Sequence, residues 1–582
     1  MSRVLRAAAL PIVLLLALLL RLWGIDHGLP NVYEHDEIGA VLIALRHASG
    51  ELAPPNFYHG TLLSYLLAGL FGLCYAIGRV MGVFAGQADF VMKIVTDGSW
   101  LYLAGRLLVA CAGTLTVWAV YEAGRRLADR TTGWIAALFT AVSVLHVNMS
   151  KLIKEDMLAA VLLAAGFLAV CGGLRRLREG RALGAAPYAW TGWWIGLAVA
   201  AKYYSAPAVV WLVLLAGAER PGWRAALGRV AAGVAASAGA FFLANPFALP
   251  GFLELVEHAT GYQGAYDVAT IPNPSGASSV ALYLGRFLPL SVGVPVLAAA
   301  LLGCLGLASP TWRLRTAFVL AFPLAFLALL IPHTVFPSFL TPAVPFVALL
   351  AAMGIRRLAG TRGRSAVAVS VAVVCAVPGL LASWRFDRYA QAQDTRALAK
   401  AWIERHLPAG SRIAVEGAVF ETITFGPPLQ STPGALKAEW DAIRQRGGDG
   451  RTWAARWQAS LSDDSPRFAV CKTMELTEEV LASCRPEYAV VITDAHDVSW
   501  GIVPHDRAEW VREFSRGATL LTQFDAAPGV KFFPTHWSLR EEPENLAKIG
   551  LFDDPVRLAT GPRVRIYQLR GASQSGAVAL LP

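Results

Sequence analysis

Charge is what this chain has least of. Only 16% of its 582 residues are Asp, Glu, Lys or Arg, against about a quarter in a soluble globular domain. Hydrophobic residues make up 55%, and mean hydropathy is +0.48. A soluble globule is thereby excluded, and many apolar runs approach the ~20 residues a spanning helix needs. Acid is scarcer than base, 41 residues against 51, for a net charge of +10. The basic surplus sits in short loops between apolar runs, as the positive-inside rule predicts, so it implies membrane lipids and no nucleic acid as partners. No internal repeat or low-complexity tail is visible. Cysteine is sparse, and Cys74, Cys111, Cys171, Cys304 and Cys375 fall in apolar segments, where they read as small buried residues.

The first apolar run, 7–20, is followed by Arg21-Leu22-Trp23 and by no small-residue cleavage site. It reads as an uncleaved first span with a cytoplasmic N-terminus. The arginines then decide the next segment. If 59–82 crossed, Arg125, Arg126 and Arg130 would fall outside, as would Arg175, Arg176, Arg178 and Arg181. If it lies along the outer surface, or dips in and returns, all of them fall inside. The second arrangement obeys the charge rule. The expected spans are then 7–23, 100–122, 132–148, 157–174, 189–201, 204–218, 228–246, 286–307, 314–331, 338–354 and 365–383. An odd count of about eleven places the C-terminal region outside. The fold class expected is a polytopic α-helical membrane protein with outer-face surface helices and a C-terminal soluble α/β domain. The expected division is 1–384 for the membrane domain and 385–582 for the external one.

Beyond residue 385 charge returns and no run is long enough to span. A helix is expected over 394–406, capped by Asp394 or Thr395. Strands are expected at 412–416, 468–471, 488–493, 519–524 and 564–569, with helices at 475–482 and 506–514. Cys471 and Cys484 lie in this domain, and in an oxidising compartment they are candidates for a disulfide; two separate thiols is the other reading. Asp494, His496 and Asp497 follow a strand. No glycine-rich phosphate loop accompanies them, so this domain is expected to shape acceptor access and not to catalyse.

The chain's ionisable groups of interest fall in its loops. After the first span comes Glu34-His35-Asp36-Glu37, and Ile38, Val41, Leu42 and Leu45 follow at helical spacing. Asp36 and Glu37 thus occupy a first helical turn, where the helix dipole favours carboxylates. A carboxylate held there is open to four readings: general base, metal ligand, binding group or simple cap. The loop after the third expected span carries Lys151, Lys154, Glu155 and Asp156, and by the topology it faces the same side. Lys202, Tyr203 and Tyr204 form a third outer turn, and His59 opens the surface segment. Lysine pairs with phosphate as a point charge, and a carboxylate can accept a proton from an acceptor hydroxyl. The set therefore suits an anionic, lipid-anchored substrate, with snorkelling lysines and capping acids as the bland alternative. Divalent metal is possible through His35 and Asp36, but one histidine beside acids is a thin donor set.

Read together, these motifs resemble the GT-C superfamily of membrane glycosyltransferases. The branch is that of the protein O-mannosyltransferases and the lipid A aminoarabinose transferase. Asp36-Glu37 with IGAVLIALRHASGE looks like its first-loop acidic motif and surface helix. His59 with GTLLSYLL looks like its second surface helix, Asp156 like its second-loop aspartate, and GLAVAAKYY (196–204) like its Gly-Leu-Ala…Lys segment. The stretch 332–350 resembles its late Arg-Tyr-Leu-x-Pro span, and 394–413 the helix opening its external domain. There are two departures. Ser338-Phe339 stands where many relatives have Arg-Tyr, and Gly-Thr follows His59 where proline is usual. The resemblance implies a polyprenyl-phosphate sugar donor, a hydroxyl acceptor on a protein, glycan or lipid, inversion at the anomeric carbon, and catalysis on the outer face. It implies Asp36 as general base, with Glu37 and Asp156 beside it, and places the protein in a bacterial inner membrane.

Two other classes compete. A transporter would place ionisable groups near the midplane and often shows repeats; a scaffold or sensor needs fewer spans. The topology is itself testable. In a cysteine-free background, single cysteines at positions 90 and 128 are to be probed with an impermeant thiol reagent from outside. Position 90 should label and position 128 should not; the reverse would refute an uncrossed 59–82.

Overall fold

The computed structural model describes residues 3–258, 279–330, 337–360, 365–416, 418–420, 423–424, 426–445, 466–473, 476–493, 507–525 and 559–569. Helices dominate its first 390 residues. In chain order they are α1 (Arg3–Leu22), α2 (His35–Ala48), α3 (Leu62–Val80), α4 (Gln87–Thr96), α5 (Ser99–Leu127), α6 (Arg130–Ala141), α7 (Val144–Met149), α8 (Glu155–Arg178), α9 (Ala186–Ala201), α10 (Val210–Glu219) and α11 (Trp223–Ala244). There follow α12 (Val280–Val292), α13 (Val294–Ala308), α14 (Arg313–Leu330), α15 (Pro337–Leu358) and α16 (Ser365–Ala390).

Among the described residues seven helices are long and apolar enough to cross a membrane, or eight if α12 and α13 form one broken span. The chain is an integral membrane protein. Six of the seven coincide with expected spans. The seventh, α3, is the segment the arginine pattern holds at the surface; length and composition alone do not say that it crosses. Three expected spans take other forms. The 132–148 segment breaks after Ala141, because Ser143 turns aside to donate to the Ser291 carbonyl at 2.7 Å. The 286–307 segment bends by 115° between α12 and α13, at Gly293, whose φ of +86° lies in the region that favours glycine. The 204–218 segment begins as a 3-10 turn, Tyr203–Val209, before α10.

Helix packing brings the loops together. α9 lies directly on α11: a Cβ on Gly192 would strike the Gly233 carbonyl, and one on Gly196 the Ser237 carbonyl. Such small-residue contacts let membrane helices approach closely. Gly60 does the same for the loop before α3, whose backbone rests on the Ala200 carbonyl. On α2 the buried apolar residues are Val41 and Ala44. They meet Leu63, Leu67 and Phe71 of α3, Leu101 of α5, and Ile153. This small core packs α2 against α3 and α5 beside the Ile153 segment.

α16 runs on to Ala390, past the expected boundary at 384. α17 (Thr395–His406) follows, and the Asp394 carboxylate caps it by accepting from the Arg396 N–H at 2.8 Å. Then come β1 (Arg412–Glu416), α18 (Pro433–Gln445), β2 (Ala469–Thr473), α19 (Glu478–Cys484), β3 (Tyr488–Thr493), α20 (Arg507–Gly517), β4 (Ala518–Phe524) and β5 (Arg563–Leu569). The sheet order is β2-β1-β3-β5-β4. β1 pairs in parallel with β2 and β3; β5 runs antiparallel to β3 and β4. Alternate residues feed two cores, one with Ile413, Val415 and Val490 against α17 and one with Ala414, Ala489 and Val491 against α20. Cys471 and Cys484 are joined by a disulfide, with Cα atoms 6.3 Å apart. Asp494, His496 and Asp497 lie outside the described residues.

Candidate active site

Three loops and one helix end converge at the site. α2 supplies Asp36 and Glu37 from its first turn. Glu37 is fully buried. Its carboxylate accepts from Arg106 of α5 through both oxygens, at 2.9 and 2.7 Å, and from the Ile153 N–H at 2.9 Å. Arg106 also donates to the Ile25 and His27 carbonyls at 2.9 and 2.8 Å. A bidentate Arg–carboxylate pair is among the stronger and more directional contacts. Here it ties the first loop, α5 and the second loop together. Glu37, grouped by sequence with the catalytic acids, lies in the structure as an anchor: Arg106 and the Ile153 N–H donate to its oxygens, and its side chain is buried.

Asp36 is its opposite. Its side chain is 36% exposed, and its ion-pair partner is Lys154, whose ammonium is nearly buried. Glu34 stands 4.0 Å from the same ammonium. Burial alone lowers an ammonium's pKa, but the Asp36, Glu34 and Asp156 carboxylates outweigh it and hold Lys154 above its ordinary value. Lys154 is thus a fixed positive charge that orients an accessible carboxylate.

The second acidic pair opens α8. Asp156 is buried and accepts from the Tyr204 hydroxyl. Lys202, at the C-terminal end of α9, lies 3.4 Å from Glu155 and 3.5 Å from Asp156, and is 14% exposed. Burial lowers its ammonium too, but Asp156 and Glu155 prevail and raise it. His59 feels Glu155, Lys202, Asp36 and Lys154, which places it among them. Burial is its largest influence and holds the imidazole below its ordinary value, hence neutral at pH 7. The Tyr203 hydroxyl donates to the His59 carbonyl at 3.1 Å, and Asn245 of the α11 end accepts from the Thr61 N–H at 2.7 Å.

Of the residues expected from sequence, Asp36, His59, Lys154, Glu155, Asp156, Lys202 and Tyr203 are brought together. Lys151 is not. Its ammonium, expected from sequence to bind the donor, is buried on Asp387 of α16 and the Trp23 carbonyl, where it braces the two segments. Three contributors were missed, Arg106, Tyr204 as the partner of Asp156, and Asp387. Arg106 and Asp387 are ionisable residues in long apolar helices, a signal of function by itself. The side chain of His35 is not among the described ones. Among the described residues no three His, Cys, Asp or Glu side chains are grouped to hold a metal ion.

The family described as dolichyl-phosphate-mannose-protein mannosyltransferase matches residues 84–249. That stretch includes Lys154, Glu155, Asp156 and Lys202. The Archaeoglobus fulgidus oligosaccharyltransferase, solved with Zn and sulfate, is similar in structure: 12% identity, 96% of this chain and 88% of that one covered, TM-score 0.50. The two share a fold. ArnT from Cupriavidus metallidurans bound to undecaprenyl phosphate is 13% identical over 99% of both chains, with TM-score 0.49. The S. cerevisiae Pmt1-Pmt2 protein O-mannosyltransferase complex bound to sugar donor is 20% identical over 44% of this chain and 35% of that one, with TM-score 0.34. No curated protein sequence matches the chain.

The Glu37 anchor yields a prediction. Arg106→Met leaves a carboxylate buried without its cation and should destabilise the purified protein by about 3–5 kcal/mol. Thermal unfolding in detergent measures this. Arg106→Met combined with Glu37→Leu should lose less than the two single losses added, because the unpaired charge is gone. Strict additivity would contradict the anchor.

Proposed function

We propose that this protein is an inverting membrane glycosyltransferase that moves a sugar from a polyprenyl-phosphate donor to a hydroxyl acceptor. The observation that carries the reading is the division of labour between neighbours: Glu37 buried and saturated, Asp36 accessible and held by Lys154. One carboxylate builds the loop and the next is left for chemistry. The partial match to a dolichyl-phosphate-mannose family supports a lipid-phosphate sugar as donor.

The chemistry follows from the residues. Asp36 accepts the acceptor's hydroxyl proton as the oxygen attacks the anomeric carbon. The bond from that carbon to the phosphate oxygen breaks on the opposite face, and polyprenyl phosphate leaves with the electron pair. One displacement gives inversion. The leaving phosphate needs positive charge. Lys202, whose contacts are long for an ion pair, is the ammonium free to shift toward it, and neutral His59 supplies a hydrogen-bond donor. Asp156, locked by Tyr204, and Glu155 keep Lys202 protonated. The site faces the extracytoplasmic side of a bacterial inner membrane, with the N-terminus inside. Residues 1–384 are the catalytic unit, and the domain beyond shapes acceptor access.

Asp36→Asn keeps the side chain's size and removes its basic carboxylate, and the cap position of α2 belongs to Glu34 and is left untouched. The variant should insert, fold and bind the lipid donor normally, while turnover falls roughly a hundred- to ten-thousand-fold. Asp156→Asn should weaken donor binding as much as turnover. Transfer rate and donor binding of the purified proteins decide; near-normal turnover of Asp36→Asn would return Asp36 to a structural role.

A further inference from the structure

The end of α16, where the chain leaves the helical bundle, holds the loops of the site at several points. The Lys151 ammonium bonds to the Asp387 carboxylate and to the Trp23 carbonyl, and both charged side chains are buried. The Trp23 and Trp384 rings meet edge to face at 4.5 Å. Gly24 presses on the same turn: a Cβ there would lie 3.1 Å from the Ala390 Cβ and 3.4 Å from the Asp387 carbonyl. Farther on, the Arg396 guanidinium stacks 3.6 Å over the Tyr33 ring, three residues before Asp36. Arg21 adds a second cation facing Asp387.

These contacts bear on the base through a short path. Lys151 is three residues before Lys154. Between them the Ile153 N–H is fixed on Glu37 at 2.9 Å, and the Lys154 N–H donates to the Leu152 carbonyl at 2.8 Å. A stretch this short spans at most ~10 Å when fully extended, so where Lys151 is held limits where the Lys154 backbone can lie. Lys154 is the ammonium that holds Asp36.

We propose that Asp387 is a positioning residue for the transfer reaction, which through Lys151 fixes the 151–154 turn so that Lys154 meets Asp36. The proposal rests on the glycosyltransferase reading. Asp387 touches neither the site nor a reacting atom; it acts by placing a charge. A misplacement of about 1 Å can cost as much as a hundredfold in rate, so the effect belongs in turnover and not in donor affinity.

The test uses the purified full-length protein and a polyprenyl-phosphate sugar, with thermal unfolding to report the folded fraction. Asp387→Asn should lower kcat about ten- to a hundred-fold and leave the donor KM within about twofold. Combined with Lys154→Met, it should cost nothing beyond Lys154→Met alone, because both act through one contact. Lys151→Arg keeps the buried ion pair but changes its reach, so it keeps the question open to measurement even if Asp387→Asn does not fold. It too should lower kcat at constant KM. Folded variants with wild-type kcat, losses that multiply with Lys154→Met, or a matched loss in donor affinity would each overturn the proposal. A wild-type protein that releases no polyprenyl phosphate would instead overturn the glycosyltransferase reading beneath it.

Discussion

The buried pair of Glu37 with Arg106 is the contact on which the site depends. Two hydrogen bonds from Arg106 and one from the Ile153 N–H meet at the Glu37 carboxylate, and two more from Arg106 reach the Ile25 and His27 carbonyls, gathering the first loop, α5 and the second loop. Desolvating two charges is expensive, and such a pair is weak evidence for net stability. Its value here is geometric. It fixes the first turn of α2, so the next residue toward the N-terminus, Asp36, is presented to solvent with little freedom. A general base gains from that confinement, because its entropy loss is met in folding and not in the transition state.

Around this anchor the site is a set of opposed charges. Lys154 lies on Asp36, and Lys202 lies between Glu155 and Asp156. The carboxylates hold both lysines above their ordinary values, and against the effect of burial Lys202 helps hold Glu155 below its own. His59, neutral, adds hydrogen bonding without further charge. An incoming phosphate can take the place of a carboxylate beside Lys202 without creating a new buried cation. The end of α16 braces the segments on either side of this cluster, through Lys151 and the edge-to-face pair of Trp23 and Trp384.

Much of this was legible in the sequence, for physical reasons. Short, nearly continuous apolar runs bounded by turns located β1 and β3, because a strand buried on both faces leaves that trace. The acidic first turn of α2 and the cap at Asp394 were readable because helix ends demand particular side chains. The spans were less so. Apolar length cannot tell a straight crossing from the bend at Gly293 or the break at Ser143, since both depend on partners far along the chain. Roles within the acidic pair were hidden too. Asp36 and Glu37 are adjacent and chemically alike, and only Arg106, some 70 residues on, decides which is buried. Lys151 looked like Lys154 for the same reason: its partner Asp387 lies 236 residues away.

The central claim is that a lipid-phosphate sugar is the donor and that its anomeric centre inverts. The direct measurement is to incubate the purified protein, in lipid nanodiscs, with defined polyprenyl-phosphate sugars and a hydroxyl acceptor. Free polyprenyl phosphate and the anomeric configuration of the product are then followed by mass spectrometry and NMR. The account predicts release of one polyprenyl phosphate per sugar transferred, with inverted configuration. Retention of configuration, or transfer from a nucleotide sugar with every lipid-phosphate sugar left intact, would contradict it.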